Sequence, residues 1–312
     1  MNILITGCSG FIGSHATEVF LSRGHTVVGV DCMTYAASLD NLKEISGHER
    51  FIFYIENICN TKEILKLSKI HQIDWIVNFA AETHVDNSIE NCDKFIDSNI
   101  SGVKSLLSVC KDTDIKLLHI STDEVYGSIK SGSFVEGDIL SPRNPYSATK
   151  AAAEHMITAY SNTYGTEHIM VRMSNNFGPR QHQEKFVPTM ISSLLSGGKI
   201  PVYGDGKNIR DWFYVKDCAK MVYTVFEKGK IGEIYNLTHH NEMTNLDIVS
   251  IVCNACNRDP KDSIEFVPDR LGHDFRYSIS NEKVKKLGID PPQDFLKSIQ
   301  ETVEAARRKI NE

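Results

Sequence analysis

The sequence predicts an α/β fold in which a doubly wound parallel sheet is followed by a smaller, loop-rich C-terminal domain. Two observations favour this class. Short, continuously apolar runs alternate with segments of helical periodicity, which is typical of parallel strands buried on both faces. After about residue 173 the sequence changes, and proline and glycine break it into short pieces. With 312 residues, the chain is long enough for two domains.

The first half supplies the alternating elements. Each apolar run has strand length, and each intervening segment repeats its apolar residues at helical spacing. The predicted strands are Ile3–Thr6, Thr26–Val30, Phe51–Ile55, Ile73–Phe79, Ile115–Ile120 and His168–Arg172. The predicted helices are Phe11–Ser22, Thr61–Ser68, Lys94–Cys110 and Tyr146–Tyr164. In such a sheet, ligands bind at the carboxyl ends of the strands, so functional residues are expected just after each strand.

The second half contains fewer regular elements. Asp217–Lys228, Asn245–Cys256 and Gln300–Ile310 have helical periodicity, and Ile234–Leu237 is a short apolar run. We therefore assign residues 1–173 to the sheet domain, with residues 212–237 returning to it. Residues 174–312 mainly form the smaller domain.

Composition excludes several functional classes. Lys and Arg number 34 against 40 Asp and Glu, a net charge of −6 that provides no field for binding a nucleic-acid backbone. No apolar run approaches the roughly 18 residues of a membrane span, and the first residues lack the features of a signal peptide. Eight cysteines are scattered, and only Cys253 and Cys256 share a C-x-x-C spacing, without a second metal-binding pair. We expect a cytoplasmic protein with buried free thiols, no metal and a small-molecule ligand.

Three glycines follow the first predicted strand at intervals of three. Gly7, Gly10 and Gly13 lie between that strand and the first helix, where glycine lets the backbone approach a pyrophosphate at the helix N-terminus. Asp31, at the end of the second strand, suits the ribose hydroxyls and repels a 2′-phosphate. This context favours a Rossmann-type site for NAD rather than NADP.

Tyr146 and Lys150 are four residues apart and so share one helical face. They begin an alanine-rich helix directly after Pro145. A lysine ammonium beside a phenol stabilises the phenolate, so we expect Lys150 to lower the pKa of Tyr146 and make it a base.

Asp123 and Glu124 follow Thr122 at the carboxyl end of a predicted strand. Two carboxyl groups at the binding edge of such a sheet can take separate acid and base roles if their environments differ. The alternative is a pair of solvated loop acids, which occurs commonly at protein surfaces.

Six motifs together resemble the extended short-chain dehydrogenase/reductase superfamily. Within it they resemble the nucleoside-diphosphate-hexose 4,6-dehydratases, typified by dTDP-glucose 4,6-dehydratase. The similarity runs nearly end to end, and Thr122-Asp123-Glu124 is its most specific part. The motifs are Ala80–Asp86, Ser121–Gly127, Pro145–Lys150, Ser174–Pro179, Arg210–Val215 and Arg270–Asp274.

The resemblance implies a complete reaction. Tyr146 would remove the proton of the sugar 4-hydroxyl as hydride passes to NAD, while Lys150 tunes the tyrosine and holds the nicotinamide ribose. Thr122 would hydrogen-bond the 4-oxygen. Glu124 would then take the C5 proton and Asp123 would protonate the departing C6 hydroxyl. Hydride returns to C6, giving a 4-keto-6-deoxy sugar nucleotide with NAD regenerated.

The resemblance also implies two binding surfaces and a homodimer. The dimer would pair Lys94–Cys110 and Tyr146–Tyr164 with their copies in a four-helix bundle. The implied NAD contacts are Gly7, Gly10, Phe11, Ile12, Gly13, Asp31, Asn57, Ile58, Ala80, Ala81, Asn99, Tyr146 and Lys150. The implied nucleotide-sugar contacts are His84, Thr122, Asn175, Glu184, Lys185, Arg210, Asn245, Arg270 and Tyr277.

Two positions depart from the family pattern. Cys8 stands where glycine is usual, and Glu56–Asn60 replaces the usual Asp-Ile-Arg-Asp. The Asn57 amide oxygen can still accept a hydrogen bond from the adenine amino group, so we expect NAD binding to persist.

Several alternatives stay open from the sequence. A 4-epimerase or C6 decarboxylase shares the glycine loop and the Tyr-Lys pair, although Asp123 and Glu124 argue against both. A dehydratase could also invert C5, and a non-catalytic NAD-binding protein could use the same fold. Neither the base (thymidine or uridine) nor the sugar (glucose or N-acetylglucosamine) is determined.

Overall fold

A computed structural model describes residues 1–269, 274–290 and 292–311. Its central feature is a seven-stranded sheet in the order β10-β6-β5-β4-β1-β2-β3, in which every neighbouring pair is parallel. The predicted fold class is therefore confirmed. The strands of this sheet are β1 (Asn2–Thr6), β2 (Thr26–Asp31), β3 (Phe51–Ile55), β4 (Trp75–Asn78), β5 (Lys116–Thr122), β6 (His168–Met173) and β10 (Ile234–Leu237).

Helices cover both faces of the sheet because its strands are apolar on both sides. One core cluster includes Ile3, Phe20 and Val222, and the other includes Leu4, Leu106 and Ile157, all fully buried. The helices of the first 173 residues are α1 (Phe11–Ser22), α2 (Thr61–Ile70), α3 (Val85–Glu90), α4 (Asp93–Phe95), α5 (Val103–Lys111) and α6 (Pro145–Tyr164).

The predicted helix Lys94–Cys110 differs in detail from the observed one. A π-helical stretch, Ile96–Gly102, joins α4 to α5, so the segment is helical but not uniformly α-helical. Gly102 lies in this stretch, where an added Cβ would be 2.5 Å from the Ile58 side chain. Apolar periodicity indicated a helix here but carried no information about the wider turns.

Within its described residues, the second part of the chain contains two small sheets and five further helices. One sheet has the order β11-β9-β7 and the other pairs β12 with β8. The additional strands are β7 (Asn175–Phe177), β8 (Ile200–Tyr203), β9 (Ile209–Tyr214), β11 (Glu242–Thr244) and β12 (Ile264–Val267). The helices are α7 (Phe186–Leu195), α8 (Val215–Lys228), α9 (Asn245–Ala255), α10 (Glu282–Lys285) and α11 (Phe295–Asn311).

Strand β10 joins the large sheet beside β6, and α8 packs against α1. A separate core cluster, which includes Phe177, Met190 and Ile248, holds the small sheets to their helices. The division at residues 173 and 174 stays a prediction. Helix α11 begins at Phe295, five residues before the predicted Gln300.

The order of the large sheet places a switch point between β1 and β4. Chain connections run outward from this point in opposite directions, which leaves a crevice at the carboxyl ends of the two strands. None of the described helices is long and apolar enough to cross a membrane. All eight cysteines are free, but Cys32 and Cys59 are exposed, which corrects the expectation that the thiols are buried.

Candidate active site

Two adjoining cavities open at the switch point. The first, here called the main crevice, has a volume of about 300 Å³ and extends from Gly7 and Asp31 to Tyr146 and Lys150. The second, the side pocket, extends from His84 to Arg210 and Tyr277. Both are lined by Thr83, Glu124, Asn175, Asn176, Gln181, Glu184 and Lys185. A ligand in one cavity therefore meets a ligand in the other along this shared wall.

The glycine loop forms one end of the main crevice. Gly7 has a φ of +68°, and an added Cβ would lie 2.7 Å from the Ala80 nitrogen. At Gly13 a Cβ would lie 2.1 Å from the Gly7 carbonyl oxygen. Helix α1 follows with Gly10 as an N-cap that has no side-chain hydrogen bond, so the N–H groups of its first turn are presented to the crevice. This geometry fits a pyrophosphate.

Asp31 and Asn57 also line the main crevice. The two carboxylate oxygens of Asp31 accept hydrogen bonds from the backbone N–H groups of Ser9, at 3.1 Å, and Met33, at 2.9 Å. The Asn57 amide oxygen accepts from the Cys59 N–H at 2.8 Å. These local bonds fix both side chains in place. Ile58 lies beside Asn57 in the crevice wall.

Asn99, one of the implied cofactor contacts, is not among the residues that line the main crevice, and its contact with NAD stays a prediction. The Asn99 amide oxygen accepts a hydrogen bond from the Glu82 N–H, and its amide nitrogen donates to the Glu82 carbonyl oxygen and to the Thr149 hydroxyl. The Asn99 side chain is buried. Ala80 and Ala81 do line the crevice. Asn99 therefore supports the loop that carries these residues, because all of its amide groups bond to protein.

Tyr146 lies at the start of α6, where the crevice meets the acid pair. Pro145 occupies the first turn, and a capping box between Asn144 and Ser147 fixes the helix start. The Tyr146 side chain is buried, and burial followed by the charge of Glu124 raises its pKa. The expected lowering by Lys150 is wrong for this structure.

Lys150 is directed at strand β5 rather than at the phenol. Its Nζ donates to the Ile120 carbonyl oxygen at 2.6 Å, and burial lowers the pKa of the ammonium to about 8. Helical spacing placed Tyr146 and Lys150 on one face, but it could not show which neighbouring element the long lysine side chain would reach.

The acid pair occupies two distinct environments. Burial, then the charges of Glu124 and Asp211, raise the Asp123 pKa well above its usual range. One Asp123 oxygen accepts from the Thr122 hydroxyl at 3.2 Å, while Oδ2 is buried without a hydrogen-bond partner among the described residues. Asp123 is therefore suited to carry a proton.

Glu124 is held differently. Burial raises its pKa, but a hydrogen bond from the Asn144 amide at 3.1 Å and the charges of Arg210 and Lys185 oppose that rise. The carboxylate form is thus better supported at Glu124 than at Asp123. Two adjacent acids with different environments can serve as proton donor and proton acceptor.

Polar and cationic side chains surround the side pocket. Arg210 donates to the Asp274 and Phe275 carbonyl oxygens and lies 4.4 Å over the Tyr277 ring. The Tyr277 hydroxyl donates to Asp274 Oδ2 at 2.8 Å. Asn245 also lines the pocket. Arg270, an implied substrate contact, lies outside the described residues.

Glu184 joins the two cavities. It lies 3.9 Å from His84 Nε2 and accepts a hydrogen bond from the Tyr35 hydroxyl at 3.2 Å. Lys185 Nζ donates to the Thr83 carbonyl oxygen at 2.9 Å. Asn175 belongs to the shared wall, and its amide oxygen is buried without a hydrogen-bond partner among the described residues.

Comparison with known proteins agrees with this geometry. The family model described as GDP-mannose 4,6 dehydratase matches residues 4–302. The chain belongs to this family. It is 43% identical over 297 residues to the low-salt glycan biosynthesis protein Agl12 of Haloferax volcanii, covering 95% of each chain. It is 42% identical to the dTDP-glucose 4,6-dehydratase of an Actinoplanes strain, covering 97% of each.

Solved structures of this dehydratase family and of related enzymes share the fold. DesIV of Streptomyces venezuelae, a dTDP-glucose 4,6-dehydratase crystallised as a double mutant with NAD bound, is 36% identical, with a TM-score of 0.96 and coverage of 100% of this chain and 98% of that one. A UDP-glucuronic acid 4-epimerase from Bacillus cereus is 27% identical, with a TM-score of 0.92 and coverage of 99% and 100%.

Sequence reasoning missed several residues of this dehydratase-family site. Asn144 bonds to Glu124, Asp274 anchors Tyr277 and Arg210, and Tyr35 reaches Glu184. These side chains come from loops far apart in sequence. Two of them had a detectable signal: Asn144 precedes proline at a predicted helix start, and Asp274 ends the Arg270–Asp274 motif.

Proposed function

We propose that the chain catalyses NAD-dependent 4,6-dehydration of a nucleoside-diphosphate hexose to the 4-keto-6-deoxy sugar nucleotide. The observation that carries this function is that Tyr146, Asp123 and Glu124 together line the main crevice, and that Glu124 also lines the side pocket. Oxidation needs a base beside a dinucleotide site. Elimination needs a separate acid and base at the same sugar.

NAD fits the main crevice, and when bound it accepts hydride from the sugar and returns it. The residues that would hold it are the glycine loop at the pyrophosphate, Asp31 at a ribose and Asn57 with Ile58 near the base. Lys150 lines the same crevice as Tyr146, where it would meet the second ribose.

The protein's own proton transfers divide among three residues. Tyr146, in its phenolate form, takes the 4-hydroxyl proton and becomes the neutral phenol, and Thr122 donates a hydrogen bond to the same oxygen. The resulting ketone acidifies C5–H, so Glu124 can remove that proton as Asp123 gives its proton to the departing C6 hydroxyl. The raised pKa of Asp123 supports its role as the acid.

The side pocket suits a nucleoside diphosphate. Arg210 and Lys185 supply positive charge for the diphosphate, and Tyr277, His84 and Asn245 surround the same space. We propose dTDP-glucose as the first substrate to test because the relatives with this activity match nearly the whole chain. UDP-glucose and UDP-N-acetylglucosamine are the other candidates.

The test is an assay of purified protein with these three nucleotide sugars, followed by mass spectrometry. The expected product is lighter than its substrate by one water. The protein should also release NAD on denaturation. Products of unchanged mass from all three sugars, or a requirement for stoichiometric NADPH, would contradict the proposed function.

A 4-epimerase is the second candidate because such an enzyme shares the fold with a TM-score of 0.92. A dehydratase that also inverts C5 is a variant of the main proposal. Proton NMR of the product separates them: an epimerase keeps the C6 hydroxyl, whereas dehydration gives a C6 methyl group. The C5 coupling pattern then reports inversion.

We also propose that the protein is a homodimer. Helices α5 and α6 pack side by side, and the segment around them leaves Ile96 and Tyr164 exposed. Two copies could bury these side chains in a four-helix bundle. Light scattering at micromolar concentration should give twice the monomer mass of 35.1 kDa, and a value near the monomer mass would contradict the dimer.

A further inference from the structure

A row of buried polar side chains runs beneath the main crevice to Lys150. Thr6, Asn78 and His119 lie on the neighbouring strands β1, β4 and β5, where they are register partners across the sheet. The Thr6 hydroxyl donates to Asn78 Oδ1 at 2.6 Å, and Asn78 Nδ2 is 3.0 Å from His119 Nδ1. His119 Nε2 is 3.5 Å from Lys150 Nζ.

This row is costly to bury. Asn78 is 1% exposed, and Thr6 and His119 are fully buried in the middle of a parallel sheet whose other interior positions are mostly apolar. Buried polar groups need partners because desolvation destabilises them. Apolar residues would fill the same space without that requirement, so the row calls for a functional explanation.

The hydrogen bonds fix the His119 tautomer. Because Asn78 Oδ1 accepts from Thr6, its Nδ2 is the atom that donates to His119 Nδ1. A neutral imidazole that accepts at Nδ1 carries its proton on Nε2. That N–H faces Lys150 Nζ.

We propose that His119 is a positioning residue for Lys150, with Thr6 and Asn78 selecting the tautomer that directs an N–H at the lysine amine. An N–H directed at Nζ opposes a positive charge there. Lys150 then holds its proton less tightly, which bears on the oxidation step because Lys150 and Tyr146 both line the main crevice. This role rests on the proposed function.

The other charged groups around the row come from two elements, α6 and β6. His119 faces Lys150 from α6 and His168 from β6. Burial, and then the charges of these two residues, keep the His119 pKa well below its usual value, so its imidazole is neutral. Lys150 also faces Glu154 on its own helix. Glu154 is held in a buried ion pair with Arg172 of β6 at 2.6 Å.

The test measures Lys150 directly by NMR titration of protein labelled with ¹³C at lysine Cε. The Lys150→Met variant assigns the signal by its disappearance, and the wild-type amine should titrate near a pKa of about 8. In Asn78→Asp the new carboxylate can only accept, so His119 must move its proton to Nδ1. Its Nε2 then accepts from Lys150, and the lysine pKa should rise by about one pH unit.

A double substitution shows whether the Lys150 pKa rises through the His119 tautomer or through direct attraction between the lysine and the new carboxylate. Against a His119→Leu background, Asn78→Asp should leave the Lys150 titration unchanged, because no imidazole transmits the change. If the full rise persisted without His119, the proposal would be overturned. An unchanged Lys150 titration in the single variant Asn78→Asp would also overturn the proposal.

Thr6→Val is a milder variant that keeps the shape of the side chain. It removes the donor to Asn78, so the amide can turn its oxygen to His119, and we expect a smaller rise in the Lys150 pKa. Thr6→Ser keeps the hydroxyl and should match the wild type. Equal titrations in both variants would contradict the proposal even if the His119 variants did not fold.

The pH profile of the first hydride transfer supplies a second measurement. Stopped-flow formation of NADH should shift along the pH axis in the same direction as the lysine titration. A loss of thermal stability with an unmoved profile would indicate a purely structural row and overturn the proposal. Wild-type protein inactive on every nucleotide sugar would instead count against the proposed function, while the NMR titration would still test His119.

Discussion

The main crevice and the side pocket are built in different ways. The main crevice is formed at the ends of neighbouring strands, where Gly7 follows β1, Asp31 ends β2 and Ala80 follows β4. The side pocket collects residues from His84 to Tyr277, carried by short strands and by loops that connect distant parts of the chain. The comparison shows that local sequence can identify the residues of a site at a sheet edge, whereas the residues of the side pocket are recognised together only in the tertiary structure.

Tyr146→Phe should have the largest effect because Tyr146 lines the main crevice together with the acid pair and serves the first chemical step. Without a base for the 4-hydroxyl no ketone forms, C5–H stays weakly acidic and every later step stops. We expect at least about a 10³-fold loss of turnover, measured by product formation. Tyr160→Phe on the same helix is the control and should keep activity. Substantial dehydration by Tyr146→Phe would remove this residue from the mechanism.

Substitutions in the acid pair test whether Asp123 and Glu124 take separate roles in the elimination step. Asp123→Asn and Glu124→Gln should each slow elimination by about 10²–10⁴-fold while leaving oxidation possible. NADH should therefore accumulate during the first turnover and be visible by absorbance.

Solvent deuterium exchange at C5 distinguishes the two acids. Asp123→Asn should still exchange because Glu124 remains, whereas Glu124→Gln should not. If both variants kept full dehydration rates, Asp123 and Glu124 would be ordinary loop acids.

Gly13→Ala tests the main crevice by itself. The new Cβ would approach the Gly7 oxygen to 2.1 Å, and since that neighbour is backbone the loop must move. We expect NAD affinity to fall at least about tenfold, or about 1.4 kcal/mol, in a fluorescence titration. Gly47→Ala is the matched control because a Cβ there meets nothing within 4 Å. Equal affinities in the two variants would show that the loop does not hold the cofactor.

Tyr35→Phe should have the smallest effect. It tests the contribution of Glu184, which lines both cavities. It removes one hydrogen bond to Glu184, a net loss of about 0.5–1.5 kcal/mol, and keeps the ring against His182. We expect the substrate KM to rise about two- to tenfold with kcat little changed. Tyr54→Phe, which loses a hydroxyl contact to His71 away from both cavities, should leave KM unchanged. A fall in kcat alone would place Tyr35 in the chemical steps instead.

The sequence by itself determined the alternating sheet, the glycine loop and the order of the catalytic motifs. These depend on apolar periodicity and on neighbours a few residues apart, which is why Phe11–Ser22 and Phe51–Ile55 match the observed elements at both ends. It also located Asp123 and Glu124 at a strand end. Their different proton affinities followed only from burial and from Asn144, Arg210 and Asp211.

Only the tertiary structure decided where long or amide side chains point. Lys150 reaches the Ile120 carbonyl oxygen instead of lowering the Tyr146 pKa, and Asn99 bonds to Glu82 instead of lining the crevice. The row from Thr6 to His119 likewise exists only because β1, β4 and β5 lie side by side in register. Helical spacing and motif order fix which residues share a face. Which hydrogen-bond partner a side chain finds depends on packing against strands that are distant in sequence, and no local pattern encodes that partner.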